Sequence, residues 1–244
     1  MSAPLFLVDV LPDGPEGTLG GAEGHHAATV QRLRVGEALI LADGRGGTAD
    51  AEITGVTRGS LTVRVTARRF AGAPDPRLVV AQGIAKGDRG ERAVQAMTEV
   101  GVDEILPWAA ARCVVQWRGE RGAKARDKWA ATAREAAKQA RRSWLPVVSG
   151  DPDTSTRQVG ARVAGAGAAF VLHEEATERL TTAALPGGGD IVLVVGPEGG
   201  ITADEVAAFT AAGARAVRLG ETVLRTSTAG VAALAVLNAR LDRW

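Results

Sequence analysis

One cysteine, Cys113, is the only thiol side chain in 244 residues. No internal disulfide can form, which suits a reducing cytosol and a cytoplasmic location, and a lone thiol of this kind reads as a small core residue. Long apolar runs are missing as well. The stretch 191–195 stops at Gly196-Pro197, far short of the roughly 20 residues a membrane helix needs, so no membrane partner is expected. The apolar Leu5-Phe6-Leu7-Val8 follows no basic segment and is broken by Asp9, which excludes a signal peptide. Neither Gly-x-Gly-x-x-Gly after a first strand nor a Gly-Lys-Ser/Thr loop occurs, so ordinary dinucleotide and P-loop assignments are weak. No internal repeat is found, and no metal site is expected.

Charge is nearly balanced but unevenly placed. Between Arg112 and Arg142 stand ten basic and three acidic residues, a local +7 in a chain whose net charge is +1. Such a run fits a solvated helix surface as well as a face for a polyanion. Nucleic acid becomes the better reading once the C-terminal loops are considered.

With 45% hydrophobic residues the chain can bury a sizeable core. Residues 1–72 read as a β-rich domain. Short stretches rich in Val, Ile, Thr and Leu at 38–42, 49–56 and 60–67 are separated by the turn-formers Asp43-Gly44-Arg45-Gly46-Gly47 and Arg58-Gly59. That spacing suggests a small barrel, with one short helix around 25–33. Ala71-Gly72-Ala73-Pro74-Asp75-Pro76 reads as a linker. From residue 73 to 244 strands alternate with helices: strands at 78–84, 104–108, 168–172, 191–195 and 214–219, helices at 91–100, 124–142, 202–212 and 228–241. The pattern predicts an α/β domain with a mostly parallel sheet covered on both faces.

Two glycine-marked loops, each after a strand and before a helix, carry the chemistry. The first is Gly196-Pro197-Glu198-Gly199-Gly200, closed by Thr202 and Glu205 at capping-box spacing. Its glycines permit close backbone approach to a ligand, and free N–H groups there could bind a carboxylate or phosphate. A plain tight turn fits the same residues. The second runs Leu219-Gly220-Glu221-Thr222-Val223-Leu224-Arg225-Thr226-Ser227-Thr228. Arg225 there suits a phosphate or a developing negative charge, and Thr226 or Ser227 is expected to cap the terminal helix.

These segments resemble the RsmE-type 16S ribosomal RNA uridine N3-methyltransferases of the SPOUT superfamily. The likeness extends to Lys86-Gly87-Asp88-Arg89, Glu99-Val100-Gly101-Val102, Arg112-Cys113, and His26 with Arg32-Leu33-Arg34-Val35-Gly36-Glu37, so it covers nearly the whole chain. It implies S-adenosylmethionine bound by Leu172, His173 and Glu174, by Val195, Gly196, Pro197, Gly199 and Gly200, and by Leu219, Gly220, Val223, Leu224, Thr226 and Thr228. It also implies a C-terminal trefoil knot in residues 73–244, a PUA-like RNA-binding barrel in residues 1–72, a homodimer, and 16S ribosomal RNA of the small subunit as partner. Two departures from the family pattern stand out: Ser227 where a glutamate is usual, and Pro4-Leu5-Phe6 where many members carry an arginine.

Methylating uridine N3 requires loss of a weakly acidic imide proton. Arg225 is the residue placed to stabilise the resulting anion, and Glu198 is a candidate base that could equally brace its loop. RNA contacts are expected from His26, Arg32, Arg34, Arg45, Lys86, Arg89, Arg112, Lys138 and Arg141. Three alternatives stay open here: the same fold acting on a transfer RNA or 23S ribosomal RNA, an RNA-binding assembly factor without catalysis, and a nucleotide-binding enzyme.

Overall fold

The computed structural model describes residues 3–244, which fall into two compact units. Residues up to Ala73 and Ala137–Leu145 form the first, and Pro74–Ala136 with Pro146–Trp244 the second. The stretch 137–145, expected with the C-terminal part, thus groups with the N-terminal one.

The first unit is a five-stranded sheet. Its strands are β1 (Leu5–Leu7), β2 (Glu16–Leu19), β3 (Ala38–Ala42), β4 (Gly47–Thr57) and β5 (Ser60–Phe70), in the order β1-β3-β4-β5-β2. Along β4, Gly47, Ala49, Ala51 and Ile53 are buried while their neighbours are less so, the period-two pattern of a half-buried strand. Ala49, Ala51 and Ile53 pack with Phe6, Leu19, Leu39, Leu41, Leu61 and Val63. Residues 137–145 join this unit through Trp144, whose indole N–H donates to the Ala71 carbonyl at 2.9 Å. The expected helix at 25–33 is displaced: α1 (Gly21–His25) runs into a π-helical turn, His26–Val30. Strands β1 and β2 went unread in the sequence because each is only three or four residues long.

The second unit is an α/β fold around six parallel strands. These are β6 (Arg77–Gly83), β7 (Glu104–Trp108), β8 (Val147–Val148), β9 (Ala168–Leu172), β10 (Asp190–Val195) and β11 (Arg215–Val217). Their order is β11-β9-β10-β6-β7-β8. Side chains that alternate along β6 and β10 feed two cores. Leu78, Val80, Ile191 and Leu193 meet α2 (Arg89–Glu99), α3 (Gly119–Gln139) and α6 (Thr226–Arg240) on one face. Val79, Ala81, Val192 and Val194 meet α4 (Thr156–Ala164) and α5 (Ala203–Ala211) on the other. With both faces covered the strands are apolar along most of their length, which is why 78–84 reads as a hydrophobic run interrupted only at Gln82-Gly83.

Helix α2 buries Gly90, Ala93, Val94, Met97 and Thr98, one stripe at three- and four-residue spacing. Gly90 is there because a Cβ would stand 2.6 Å from the Trp129 ring. Helix α6 buries Thr226, Gly230, Ala233, Leu234, Leu237 and Asn238, and the Asn238 amide closes the end of α2 by donating to the Val100 carbonyl at 2.7 Å. Strand order reverses between β6 and β10, the place where open parallel sheets hold ligands.

At the opposite, amino-terminal end of the sheet stands an ion network. Glu104, first residue of β7, receives Arg77 at 2.8 Å, Arg162 at 3.1 Å and the Ser149 hydroxyl at 2.6 Å. Arg162 also pairs with Asp190. Burial alone would raise the Glu104 carboxyl, but the Ser149 hydroxyl, Arg162 and Arg77 together hold it below its ordinary value.

Candidate functional site

A cavity of about 1240 Å³ opens at the carboxyl ends of β9 and β10. Three loops wall it. Leu172, His173 and Glu174 follow β9, Val195, Gly196, Pro197, Gly199 and Gly200 follow β10, and Val223, Leu224, Arg225 and Thr226 lead into α6. Leu219 and Gly220 line a smaller adjoining space of about 80 Å³. The sequence reading missed the back wall, where Ala203, Val206, Ala207 and Thr210 of α5 face the cavity. A ligand-facing stripe on a surface helix looks like any other apolar stripe.

The glycine loop is shaped by close approach. Gly200 adopts φ +75° and donates to the Pro197 carbonyl at 2.9 Å. A Cβ at Gly199 would stand 2.8 Å from that of Arg112. The Thr202–Glu205 capping box is formed in full. Glu205, buried, reaches further, accepting the Ala111 N–H at 2.7 Å and so tying the loop after β7 to the start of α5. From that loop Arg112 donates to the Gly199 carbonyl at 3.1 Å.

Glu198 is occupied. Its Oε1 accepts the Lys86 N–H at 3.1 Å and Arg89 Nη1 at 3.0 Å. Partial burial pushes its carboxyl up, but its own N–H, Arg89 and the Lys86 N–H outweigh that and hold it below the usual range. A carboxylate kept ionised by such partners is a weak base and a good brace.

Arg225 behaves differently. It is the N-cap residue of α6, its carbonyl accepting the Thr228 and Ala229 N–H groups at 2.8 and 2.9 Å. Its guanidinium, at the cavity wall, makes no hydrogen bond or ion pair among the described residues. The capping role expected of Thr226 or Ser227 is therefore corrected. Thr226 is the first helical residue, and its hydroxyl donates to the Gly196 carbonyl at 2.7 Å. Thr228 lies in the first turn of α6, exposed, and lines neither cavity.

Residues 73–238 match the family model of an RNA methyltransferase domain, and residues 19–66 that of an RNA methyltransferase PUA domain. The ribosomal RNA small subunit methyltransferase E of Mycobacterium bovis is 47% identical, over 100% of this chain and 94% of that protein. The chain belongs to the RNA methyltransferase family. The Bacillus subtilis protein of the same name is 30% identical over 93% of this chain and 91% of its own length. A crystal structure of the Neisseria gonorrhoeae ribosomal RNA small subunit methyltransferase E, bound to S-adenosyl methionine, covers 98% of each chain with a TM-score of 0.87 and 29% identity.

For an RNA methyltransferase, the cationic residues expected to meet RNA fall into distinct environments. In the second unit Lys86 is exposed, and Arg89 and Arg112 line the large cavity while holding the glycine loop. In the first unit Arg32, Arg34, Arg45 and Arg141 are exposed, and His26 lies half-buried with its ring 6.3 Å from that of Phe6. Arg45 spends part of its guanidinium on the Asp9 carbonyl at 2.6 Å. Lys138 differs from these: its side chain is only 10% exposed and pairs with Glu23 at 2.9 Å. Of the five tryptophans, Trp108, Trp117 and Trp129 are core residues. Cys113 is half-buried against the core, and burial pushes its thiol up. No helix among the described residues is long and apolar enough to cross a membrane.

Proposed function

We propose that the chain transfers a methyl group from S-adenosylmethionine to N3 of a uridine in 16S ribosomal RNA of the small subunit. The observation that carries this reading is the 1240 Å³ cavity walled by the three loops that the family resemblance assigns to the methyl donor. The lining suits that ligand. Leu172, Val195, Ile201, Val206 and Leu224 offer apolar surface for a nucleoside, and Glu174 and Glu175 offer anionic groups for its positive charges. S-adenosylmethionine supplies an electrophilic methyl on a cationic sulfur.

The chain's own residues prepare the acceptor. Uracil N3 carries a weakly acidic imide proton, and its loss spreads negative charge onto the flanking carbonyl oxygens. Arg225, without a partner among the described residues, donates to one of those oxygens and stabilises the anion as it forms. The proton passes to water. Glu198 keeps the Lys86–Arg89 loop and the glycine loop at a fixed separation. Holding both reactants in one orientation supplies much of the remaining acceleration.

The finer architecture belongs to the same proposal. Residues 1–72, joined by 137–145, form a PUA-like barrel that holds RNA, and the rest of residues 73–244 form the catalytic domain, with a C-terminal trefoil knot. The bond from Thr226 to Gly196 suits such a knot, because it stitches the start of α6 to the loop after β10. The enzyme works as a cytoplasmic homodimer with each cavity close to the partner subunit, as the resemblance implies. Arg32, Arg34, Arg45 and Arg141 in one unit and Lys86, Arg89 and Arg112 in the other contact phosphates, which position the RNA without reading its sequence. Purified protein incubated with S-adenosylmethionine and unmodified small subunits should yield 3-methyluridine on nucleoside mass spectrometry. Methyl transfer to transfer RNA or 23S ribosomal RNA instead would replace the substrate and keep the chemistry. Cofactor binding with no methylated nucleoside from any of these RNAs would overturn it.

A further inference from the structure

Strand β6 carries one polar side chain inside an otherwise apolar run. Gln82 is fully buried between Ala81 and Gly83, with Val195 of β10 and Pro107 of β7 as its register partners. Its Nε2 donates to the Thr226 hydroxyl at 2.9 Å and to the Gly83 carbonyl at 3.2 Å, while its Oε1 is buried with no hydrogen-bond partner among the described residues. Thr226 passes the chain on, donating to the Gly196 carbonyl at 2.7 Å. The next residue, Gly83, lies against the same loop: a Cβ there would stand 2.5 Å from the Pro197 nitrogen. Residues 82 and 83 therefore support the Gly196–Pro197 peptide from beneath, one through hydrogen bonds and one through contact.

A threonine hydroxyl has one proton to give. When a neighbour donates to its oxygen, that proton is directed elsewhere, here to Gly196. We propose that Gln82 is a positioning residue for the methyl-donor cavity: its amide fixes the direction of the Thr226 hydroxyl, which locks the first turn of α6 to the glycine loop and holds Arg225 at the cavity wall. This rests on the reading above, in which the cavity takes S-adenosylmethionine and Arg225 meets the uracil. Stability alone does not explain an amide at this position. A buried acceptor without a protein partner carries a penalty that an apolar side chain of similar size lacks.

That contrast supplies the test. Gln82→Met keeps the volume and removes the donor. It should unfold at a temperature no lower than the wild type, yet bind S-adenosylmethionine about tenfold more weakly and turn over small subunits about tenfold more slowly. Thr226→Val should show the same loss, the double variant no more than either single one because both cut one chain, and Thr226→Ser, which keeps the hydroxyl, should recover most of what Thr226→Val loses. Gln82→Glu, which turns the donor into an acceptor competing for the Thr226 proton, should be worse than Gln82→Met in both readouts. Calorimetric titration with S-adenosylmethionine and single-turnover methylation would read these effects. If Gln82→Met lowered the unfolding temperature while affinity and rate stayed unchanged, or if the two losses simply added, the positioning role would be overturned. Wild-type protein that binds no S-adenosylmethionine would overturn the cofactor reading first, and this role with it.

Discussion

The two ends of the parallel sheet are built on opposite rules. At the amino ends of β6, β7 and β10, Arg77, Glu104 and Asp190 meet Arg162 in one mutually satisfied network, with Ser149 filling a further acceptor position on Glu104. At the carboxyl ends glycines replace side chains, the backbone approaches itself closely, and Arg225 has no partner among the described residues at a cavity wall. A charge whose partners are all supplied by the fold contributes to holding the fold. A charge with none is available to something that arrives. The difference separates stability from chemistry within one sheet, and each substitution below tests whether the separation is real.

The largest effect belongs to the open end. Replacing Arg225 with alanine should lower turnover by about 10²–10³, the loss typical when one donor to a developing anion is removed, with the unfolding temperature unchanged because the guanidinium supports nothing in the fold. Arg225→Lys should recover only part of that rate, because a point charge does not reproduce the guanidinium fork. A large fall in stability for either variant would erase the contrast between the two ends.

The closed end should respond the other way. Glu104→Gln breaks a mostly buried network and should cost roughly 2–3 kcal/mol of stability at neutral pH, while turnover at permissive temperature stays near wild type. The sign of its pH dependence follows from the carboxyl being held below its ordinary value of 4.5. The stabilisation is complete above that value and is lost as the pH falls through the depressed folded value. Wild type and Glu104→Gln should therefore converge in stability in acid, which equilibrium denaturation at several pH values would show.

The open end was the more legible of the two from sequence. Gly196, Pro197, Gly199, Gly200, Leu224 and Arg225 sit in contiguous motifs, so local spacing points to them without knowledge of the fold. The alternation of apolar runs with helical stretches likewise exposes the α/β pattern. The closed end was unreadable, because Arg77, Glu104, Arg162 and Asp190 are far apart in sequence and meet only when β6, β7, β10 and α4 come together. Strand β8 was missed because it is only two residues long, whereas helix α4 left a local signal that was passed over: the Ser155–Gln158 capping box and the buried Val159 and Val163 at four-residue spacing. Gln82 left a signal that was overlooked: an amide inside an apolar strand demands partners, and partners there must come from distant loops. The Lys138–Glu23 pair was equally hidden, since a basic helix surface cannot reveal from sequence which lysine finds a glutamate.

A middle-sized effect separates brace from base. Glu198 is ionised well below neutrality, so it introduces no inflection near pH 7 if it only holds Lys86 and Arg89 in place. Glu198→Gln retains an oxygen that can accept both bonds but loses the charge. It should cost about a factor of ten in turnover, of the order expected from loosened positioning, and leave the shape of the pH–rate profile unchanged. A profile that loses a limb in this variant would make Glu198 the proton acceptor.

The smallest effect concerns RNA, and it distinguishes exposed charge from spent charge. Lys86 is exposed, whereas Lys138 is nearly buried against Glu23. Removing one phosphate contact lowers the slope of log affinity against log salt by about one unit at most and weakens binding by a small factor at moderate salt. Lys86→Ala should show that reduced slope. Lys138→Ala should leave the slope as it is and instead destabilise the first unit, because Glu23 would keep its buried carboxylate without a counter-charge. Filter binding to small-subunit RNA across a salt series, read beside thermal unfolding of the same variants, assigns each lysine to one role. If Lys138→Ala changed the salt slope and left unfolding untouched, its ion pair would open when RNA binds, and burial in the free protein would no longer mark a cation as structural.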